Sequence, residues 1–368
     1  MRTYDVVIVG GGPAGSSCAW GLRESGLRVL VLDRATFPRP KVCGGWITPA
    51  VLRHLEIEPE QYRQSGRILQ PITGFRAGLR TVSAKAVEVD YGSKPVSYGI
   101  LRSEFDHYLL ERCGAEVQTG AKLETLERIG DDGWLINGEI QARVLVGAGG
   151  HFCPVAKQLG GAGSAEPVVA AQEAEFLLDA GEAESCPVRG PIPELYFCPD
   201  LKGYGWCFRK GQYLNVGLGR LDHHGLRSHV HAFVDFLKQQ GRIRAWSQRF
   251  CGHAYLLANL SQRRIVGDGF LLVGDAAGLA YPFSGEGIGP AVQSGLLAAR
   301  VLLSAGGKYE RRRLQPYTEL LRQQFRWWRL AEGIPERLRR RCGLWLFQQS
   351  WFVKRVVLER WFLGAAQT

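Results

Sequence analysis

A chain of 368 residues suits one large or two intertwined domains rather than a single small one. Hydrophobic residues at 45% and charged residues at 22% are ordinary globular proportions, and no uninterrupted apolar run approaches the roughly 20 residues a membrane-spanning helix needs. The net charge of +11 is uneven: residues 301–368 hold 14 Lys and Arg against 5 Asp and Glu, so +9 of it lies there. Such a patch suits an anionic membrane or an acidic partner as well as a solvated helix face. The nine cysteines form no C-x-x-C pair and no zinc-like spacing, so no metal is expected. The opening MRTYDVV reads as a chain without a signal peptide, and scattered free thiols fit a reducing cytosol.

In chain order, YDVVIVGGGPAGSSCAWGLRESGLRVLVLDR predicts strand, helix and strand. Val6 to Val9 form the continuous apolar run of a buried parallel strand. Gly10, Gly12 and Gly15 make G-x-G-x-x-G, helix-forming residues run to Gly26, and a second apolar strand, Arg28 to Leu32, ends in Asp33, 18 residues after Gly15. The first glycine makes a tight turn, the second lets backbone approach a pyrophosphate at the helix N-terminus, and the third lets helix and strand pack closely. Asp33 is placed to accept hydrogen bonds from a ribose. This fingerprint by itself does not separate FAD from NAD.

The stretch FPRPKVCGGW, residues 37–46, follows. Its two prolines stiffen a loop that carries a thiol beside two glycines, and Gly44 and Gly45, lacking Cβ, let backbone lie close to a planar ligand. ILRSEFDHYLLERCGAEVQTG, residues 100–120, reads as a helix and the strand that closes the nucleotide domain. GYGWCFRKGQYLNVGLG, residues 203–219, reads as a hairpin with Lys210-Gly211 at the turn and Tyr204, Trp206 and Phe208 on one face. In DGFLLVGDAAGLAYPFSGEGIGPAVQSGLLAAR, residues 268–300, the strand Phe270 to Val273 leads into Gly274 and Asp275, a loop with Pro282, Gly285 and Gly287, and a helix of small residues. The last seventy residues are helical by composition and hold five of the ten tryptophans: Trp327, Trp328, Trp345, Trp351 and Trp361. Aromatics interleaved with arginines fit an interfacial helix, or helices packed with arginine stems along apolar surface. No nucleic-acid recognition module accompanies the charge.

Residues 268–300 resemble the second FAD motif of glutathione-reductase-type flavoproteins, in the branch shared with p-hydroxybenzoate-hydroxylase-like enzymes. The resemblance implies that Asp275 hydrogen-bonds the ribityl chain. It also implies that the helix beginning at Gly287 and Ile288 aims its N–H groups at the pyrimidine end of the flavin, where the reduced ring carries negative charge. Residues 100–120 resemble the arginine-bearing helix of these proteins, with Arg102 as the FAD contact. One departure is ARVLVGAGG, where Gly149 replaces the aspartate of the hydroxylases' Asp-Gly pair. It leaves the electron donor open between NAD(P)H and ferredoxin or another reduced carrier.

FPRPKVCGG, GYGWCFRKGQYLNVGLG and YPFSGEGI together resemble the geranylgeranyl reductase family, flavoproteins that reduce carbon–carbon double bonds of isoprenoid chains. The likeness covers residues 4 to about 300. Arg209 stands where the family's Y-x-W-x-F-P-K-G stretch has proline. The resemblance implies FAD contacts at Gly10, Gly12, Ala14, Gly15, Asp33, Arg34, Lys41, Gly44, Gly45, Arg102, Asp275, Gly287 and Ile288. It implies an apolar substrate pocket at Tyr204, Trp206, Phe208, Pro282 and Phe283. Cys43 is the expected catalytic residue: reducing an alkene needs a hydride and a proton, and a thiol of pKa about 8.5 is mostly protonated near pH 7. The other role for Cys43 is a small buried hydrophobe.

The expected fold is therefore α/β, with a discontinuous Rossmann-like FAD domain of residues 1–75, 98–160 and 261–300. An antiparallel-sheet substrate domain of residues 76–97 and 161–260 and a helical tail, 301–368, complete it. The expected function is an FAD-dependent reductase of an isoprenoid or other lipid-like alkene. A flavin monooxygenase or halogenase is the alternative, although the halogenases' active-site lysine and W-x-W-x-I-P pattern are absent, and a flavin-binding protein without turnover is a third reading. Expected partners are an apolar or lipid substrate, an electron-donor protein and an anionic membrane touched peripherally. The expected location is cytoplasmic, at the inner membrane surface.

Overall fold

The computed structural model describes residues 1–81, 86–130, 133–161, 166–222, 224–244, 246–325 and 342–364. The chain divides into two compact units, one of residues 1–40, 103–167 and 255–330, the other of residues 41–102, 168–254 and 331–368.

The first unit is built on an eight-stranded sheet. Its centre is the strand Arg2–Val9, paired in parallel with Val29–Leu32 on one side and Ile140–Gly147 on the other. Phe270–Leu272 extends the parallel run beyond Ile140–Gly147, and Glu116–Gln118 extends it beyond Val29–Leu32. Val6, Val7, Ile8, Leu30 and Val31 are fully buried, which is why these segments read as unbroken apolar runs. Register aligns the carboxyl ends: Val9 lies beside Leu32 and Gly147, and Gly147 beside Leu272. Gly10, Asp33, Ala148 and Gly274 therefore emerge along one edge, where open parallel sheets bind nucleotides. The helices Pro13–Leu22 and Ile288–Ser304 cross closely because small residues meet; a Cβ on Gly295 would stand 2.3 Å from the Ala14 carbonyl oxygen.

The second unit holds a seven-stranded sheet, running from Cys251–Leu256 through Val168–Leu177, Tyr213–Arg220, Gly203–Lys210, Glu194–Phe197 and Gly74–Leu79 to Val87–Asp90. The amphipathic helix Leu226–Gln239 covers one face, burying Phe233 and Leu237 with Tyr196, Cys207 and Val216. A three-stranded sheet of Trp46–Ile47, Ser97–Ile100 and Leu69–Ile72 belongs to the same unit.

Three expectations are corrected. Residues 41–75 and 98–102 part from the nucleotide unit, because Trp46–Ile47 and Leu69–Ile72 pair with Ser97–Ile100 in their own sheet. The C-terminal stretch is not one helical segment. Leu314, Tyr317, Leu321 and Phe325 enter the nucleotide-unit core, with the Tyr317 hydroxyl donating to the Leu272 carbonyl at 3.0 Å, whereas Phe347 packs on Phe197 and Phe362 stacks on Trp46 in the second unit. The hairpin turn is Gly211-Gln212 rather than Lys210-Gly211, since Lys210 pairs with Tyr213 and its side chain is buried. Of the expected interfacial residues, Trp345 and Trp351 are exposed. Trp327, Trp328 and the cluster Arg339, Arg340, Arg341 lie outside the described residues. No helix among the described residues is long and apolar enough to cross a membrane.

Candidate active site

The first unit supplies a dinucleotide cradle. Gly10 takes φ +117°, and a Cβ there would overlap the Ala148 carbonyl. Gly15 lies so close to the turn that a Cβ would fall 1.9 Å from the Gly10 oxygen. Gly12 differs: its Cβ would point into open space whose nearest atom is Arg39 Nη2 at 3.5 Å. That opening, at the N-terminus of the helix Pro13–Leu22, is the shape a pyrophosphate needs, and Arg39 brings a cation to it. Arg39 is held by buried Asp106 at 3.5 Å. The sequence reading did not name it; its only signal is the arginine between the two prolines. Asp33, buried at the end of its strand, accepts the Gly11 N–H at 2.7 Å and the Ala35 N–H at 2.8 Å, so the carboxylate is fixed beside the turn. Ala14 is buried in the cradle wall and Arg34 is exposed; Arg102 is buried and belongs to the second unit.

The second FAD motif sits on the same unit. Asp275 lies in a single helical turn, Gly274–Ala276, and its Oδ1 is 3.2 Å from the position of a Gly287 Cβ, at the N-terminus of the helix Ile288–Ser304. Arg263, also missed from sequence, holds that turn. It donates to the Ala276 and Asp275 carbonyls at 3.0 and 3.3 Å, and its other nitrogens grip Glu166 and meet His151 Nδ1 at 3.1 Å. Glu286 accepts the Gly289 N–H at 3.1 Å, and burial pushes its carboxyl up to about 7. Pro282 is half-buried and Phe283 exposed in the preceding loop. Gly12, the helix N-termini and the two aspartates thus fit FAD.

The second unit holds the thiol loop on its sheet. Register puts Glu175, Asn215 and Phe208 in one row and Glu173, Gly217 and Trp206 in the next, on one face. Against that face lie Cys43, Gly44 and Gly45. A Cβ on Gly44 would stand 3.1 Å from the Phe208 ring and 3.5 Å from Trp206 Nε1. Gly45 has φ +66°, and a Cβ there would strike the Ile100 oxygen and Lys210 Nζ. Within this unit, the two glycines let the loop lie flat on a sheet.

Polar groups complete the hold. Lys210, 1% exposed at its side chain, donates to the Gly44 and Ile100 carbonyls at 3.1 and 3.0 Å and pairs with Glu175. Asn215 donates to the Cys43 carbonyl at 3.2 Å and to Glu175 at 2.9 Å, while accepting from Trp206 Nε1 at 2.6 Å. Lys41 Nζ pairs with His253 Nε2 at 2.6 Å. Cys43 is half-buried, and the Gly45 N–H points to its Sγ at 3.4 Å. Tyr204 is half-buried on the same face, its ring 6.1 Å from Trp206. Sequence reasoning found the aromatics of this face by their alternation but missed Glu173, Glu175 and Asn215, and treated Lys210 as a turn residue.

Residues 5–83 match the FAD dependent oxidoreductase family. The chain is 30% identical over 325 residues to menaquinone reductase of Mycobacterium tuberculosis, an alignment spanning 81% of this chain and 76% of that protein. It is 32% identical over 324 residues to geranylgeranyl diphosphate reductase of Rhodobacter capsulatus, spanning 82% and 75%. With digeranylgeranylglycerophospholipid reductase 2 of Methanopyrus kandleri it shares 30% over 334 residues, spanning 82% and 77%. The chain belongs to the geranylgeranyl reductase family. It is an FAD-dependent oxidoreductase with the fold expected of that family. A geranylgeranyl bacteriochlorophyll reductase-like protein from Thermoplasma acidophilum shares that fold at a TM-score of 0.74 and 23% identity, over 95% of this chain and 88% of that one. The FAD-bound halogenase PltM shares it at 0.71 and 19%, over 95% and 78%. As a geranylgeranyl reductase family member, the protein has its dinucleotide cradle on the first unit, with Pro38, Arg39 and Pro40 of its P-x-x-K-x-C-G-G stretch, and the remainder of that stretch, Lys41 to Gly45, on the second.

Proposed function

We propose that this protein reduces a carbon–carbon double bond of an isoprenoid or similar lipid-like substrate, with Cys43 delivering the proton. FAD, reduced by NAD(P)H or by a protein carrier such as ferredoxin, would supply the hydride for one alkene carbon. The Cys43 thiol gives its proton to the other carbon and is reprotonated from solvent, so that with the hydride the substrate gains two hydrogens. The observation that carries the reading is the Cys43 loop itself. A half-buried thiol, held through its own main chain on a face that carries Trp206, Phe208 and Tyr204, is a fixed proton donor beside apolar surface. The relatives add support: they are named as reductases of a quinone, of geranylgeranyl diphosphate and of a digeranylgeranyl lipid. Gly12, Arg39, Asp33 and Asp275 would hold the cofactor.

The test is to reduce the purified protein anaerobically, offer a prenyl lipid and weigh the product. A gain of two hydrogens is expected. Insertion of oxygen under air, with no reduced alkene, would favour the monooxygenase reading that the halogenase-like fold keeps alive. We further propose that the substrate is met at an anionic membrane surface, on the strength of Trp345, Trp351, Arg355 and Arg360, all exposed in the C-terminal stretch, and that the protein works in the cytoplasm against the inner face.

A further inference from the structure

Glu173 is a buried carboxylate that the reaction above does not use. Its strand register sets it opposite Gly217, and the space left there by a missing side chain holds the Trp206 ring. Asn215 Nδ2 reaches this carboxylate at 3.3 Å while also donating to the Cys43 carbonyl at 3.2 Å, and the Cys43 N–H faces the carboxylate and draws its pKa down. The Cys43 carbonyl is therefore held by Asn215, and Asn215 is in turn bonded to Glu173 on the neighbouring strand. With its C=O anchored, the residue has its side chain restricted in turn by the Gly45 N–H at 3.4 Å from Sγ. The charged groups that face Glu173 are Glu175 on its own strand and Lys210 on the neighbouring hairpin. The Lys41–His253 pair lies on the thiol loop's entry and on the edge strand next to Val168–Leu177.

We propose that Glu173 is a positioning residue of Cys43: accepting from the Asn215 amide that holds the Cys43 carbonyl, and facing the Cys43 N–H, it fixes the thiol, and its protonation loosens that hold. This rests on the reading of Cys43 as the proton donor. Burial pushes the Glu173 carboxyl up to about 7, against the pull of the Cys43 N–H and Lys210, so the charged acceptor is present above that pH and lost below it. A carboxylate acceptor holds an N–H about twice as strongly as a neutral one.

The measurement is alkylation of the FAD-loaded protein by iodoacetamide from pH 6 to 8.5, with Cys43 and the exposed Cys251 quantified separately by peptide mass spectrometry. In the wild type the ratio of Cys43 to Cys251 labelling should rise about fivefold as pH falls through 7. Glu173→Gln keeps the shape with a neutral acceptor and should hold the ratio at its low-pH value throughout. Glu173→Ala, with no acceptor, should raise the ratio further. A flat wild-type ratio, or a step retained in Glu173→Gln, overturns the proposal. Failure of the proton-donor reading looks different: Cys43→Ala would then turn over at the wild-type rate, while the pH step in labelling stood.

Discussion

Replacing Lys210 by methionine removes an ammonium and keeps the stem, so it isolates the charge beneath the thiol loop. The Gly44 and Ile100 carbonyls, bonded at 3.1 and 3.0 Å, lose their donor, and Glu175 loses its cation. Breaking a buried ion pair on one side costs about 3–5 kcal/mol, and each buried acceptor left without a donor about 1–3 kcal/mol. These losses overlap, and Glu175 keeps some hydration at 24% side-chain exposure and the Asn215 donor at 2.9 Å, so the lower end, about 3 kcal/mol, is expected. For a unit of this size that lowers the melting temperature by roughly 6–12 °C. Differential scanning calorimetry of the single variant and of Lys210→Met with Glu175→Gln is the assay. The second change removes the orphaned charge and should restore more than half of the loss. A single-variant loss below about 1 kcal/mol, or a double variant no better than the single, would refute the view that this lysine organises the network.

Cys43→Ala should leave FAD bound and flavin reduction normal while slowing reoxidation by the alkene roughly 10²- to 10⁴-fold in stopped-flow absorbance. Gly12→Val should give colourless protein, because its side chain fills the opening beneath Arg39, whereas Asp275→Ala should weaken FAD by about 1–3 kcal/mol in equilibrium dialysis. Glu286 has its folded pKa raised from 4.5 to about 7, so its contribution to stability is full below pH 4.5 and is lost as pH rises through about 7. Glu286→Gln should accordingly gain about 1–2 kcal/mol on wild type between pH 5 and 8, and parallel melting curves at all pH values would contradict this. The protein should co-sediment with anionic vesicles at low salt and be released at high salt, since each basic residue near the surface is worth about 1 kcal/mol and is screened within about 10 Å. Wild type left in the supernatant at low salt would point to a smaller, soluble substrate.

Much of the nucleotide half was legible in the residues. The run Val6 to Val9, the spacing of Gly10, Gly12 and Gly15, and the turn after Leu272 announce themselves because apolar runs and tight turns are local requirements. The sheet face with Trp206 and Phe208 came from alternation, whereas the flavin character of the chain and its reductase branch came from the resemblance of residues 268–300, FPRPKVCGG and YPFSGEGI to known flavoproteins. What stayed hidden is polar and long-range. Arg39 reads as one more arginine between prolines until the fold brings it over Gly12, and Arg263 until it meets the Asp275 turn.

The thiol loop shows the division most plainly. That FPRPKVCGGW would be a close-packed loop follows from its own glycines, since no other residue could lie so near a neighbouring surface. What it would lie against does not. Cys43 is joined to Asn215 across 172 residues and Gly44 to Lys210 across 166, and those partners depend on the register of three strands. A shift of one residue would turn Glu173, Asn215 and Lys210 to the opposite face, beneath the helix Leu226–Gln239. Chain-local chemistry therefore determined which segments form close-packed turns and loops, and strand pairing alone decided which buried charges hold the thiol loop.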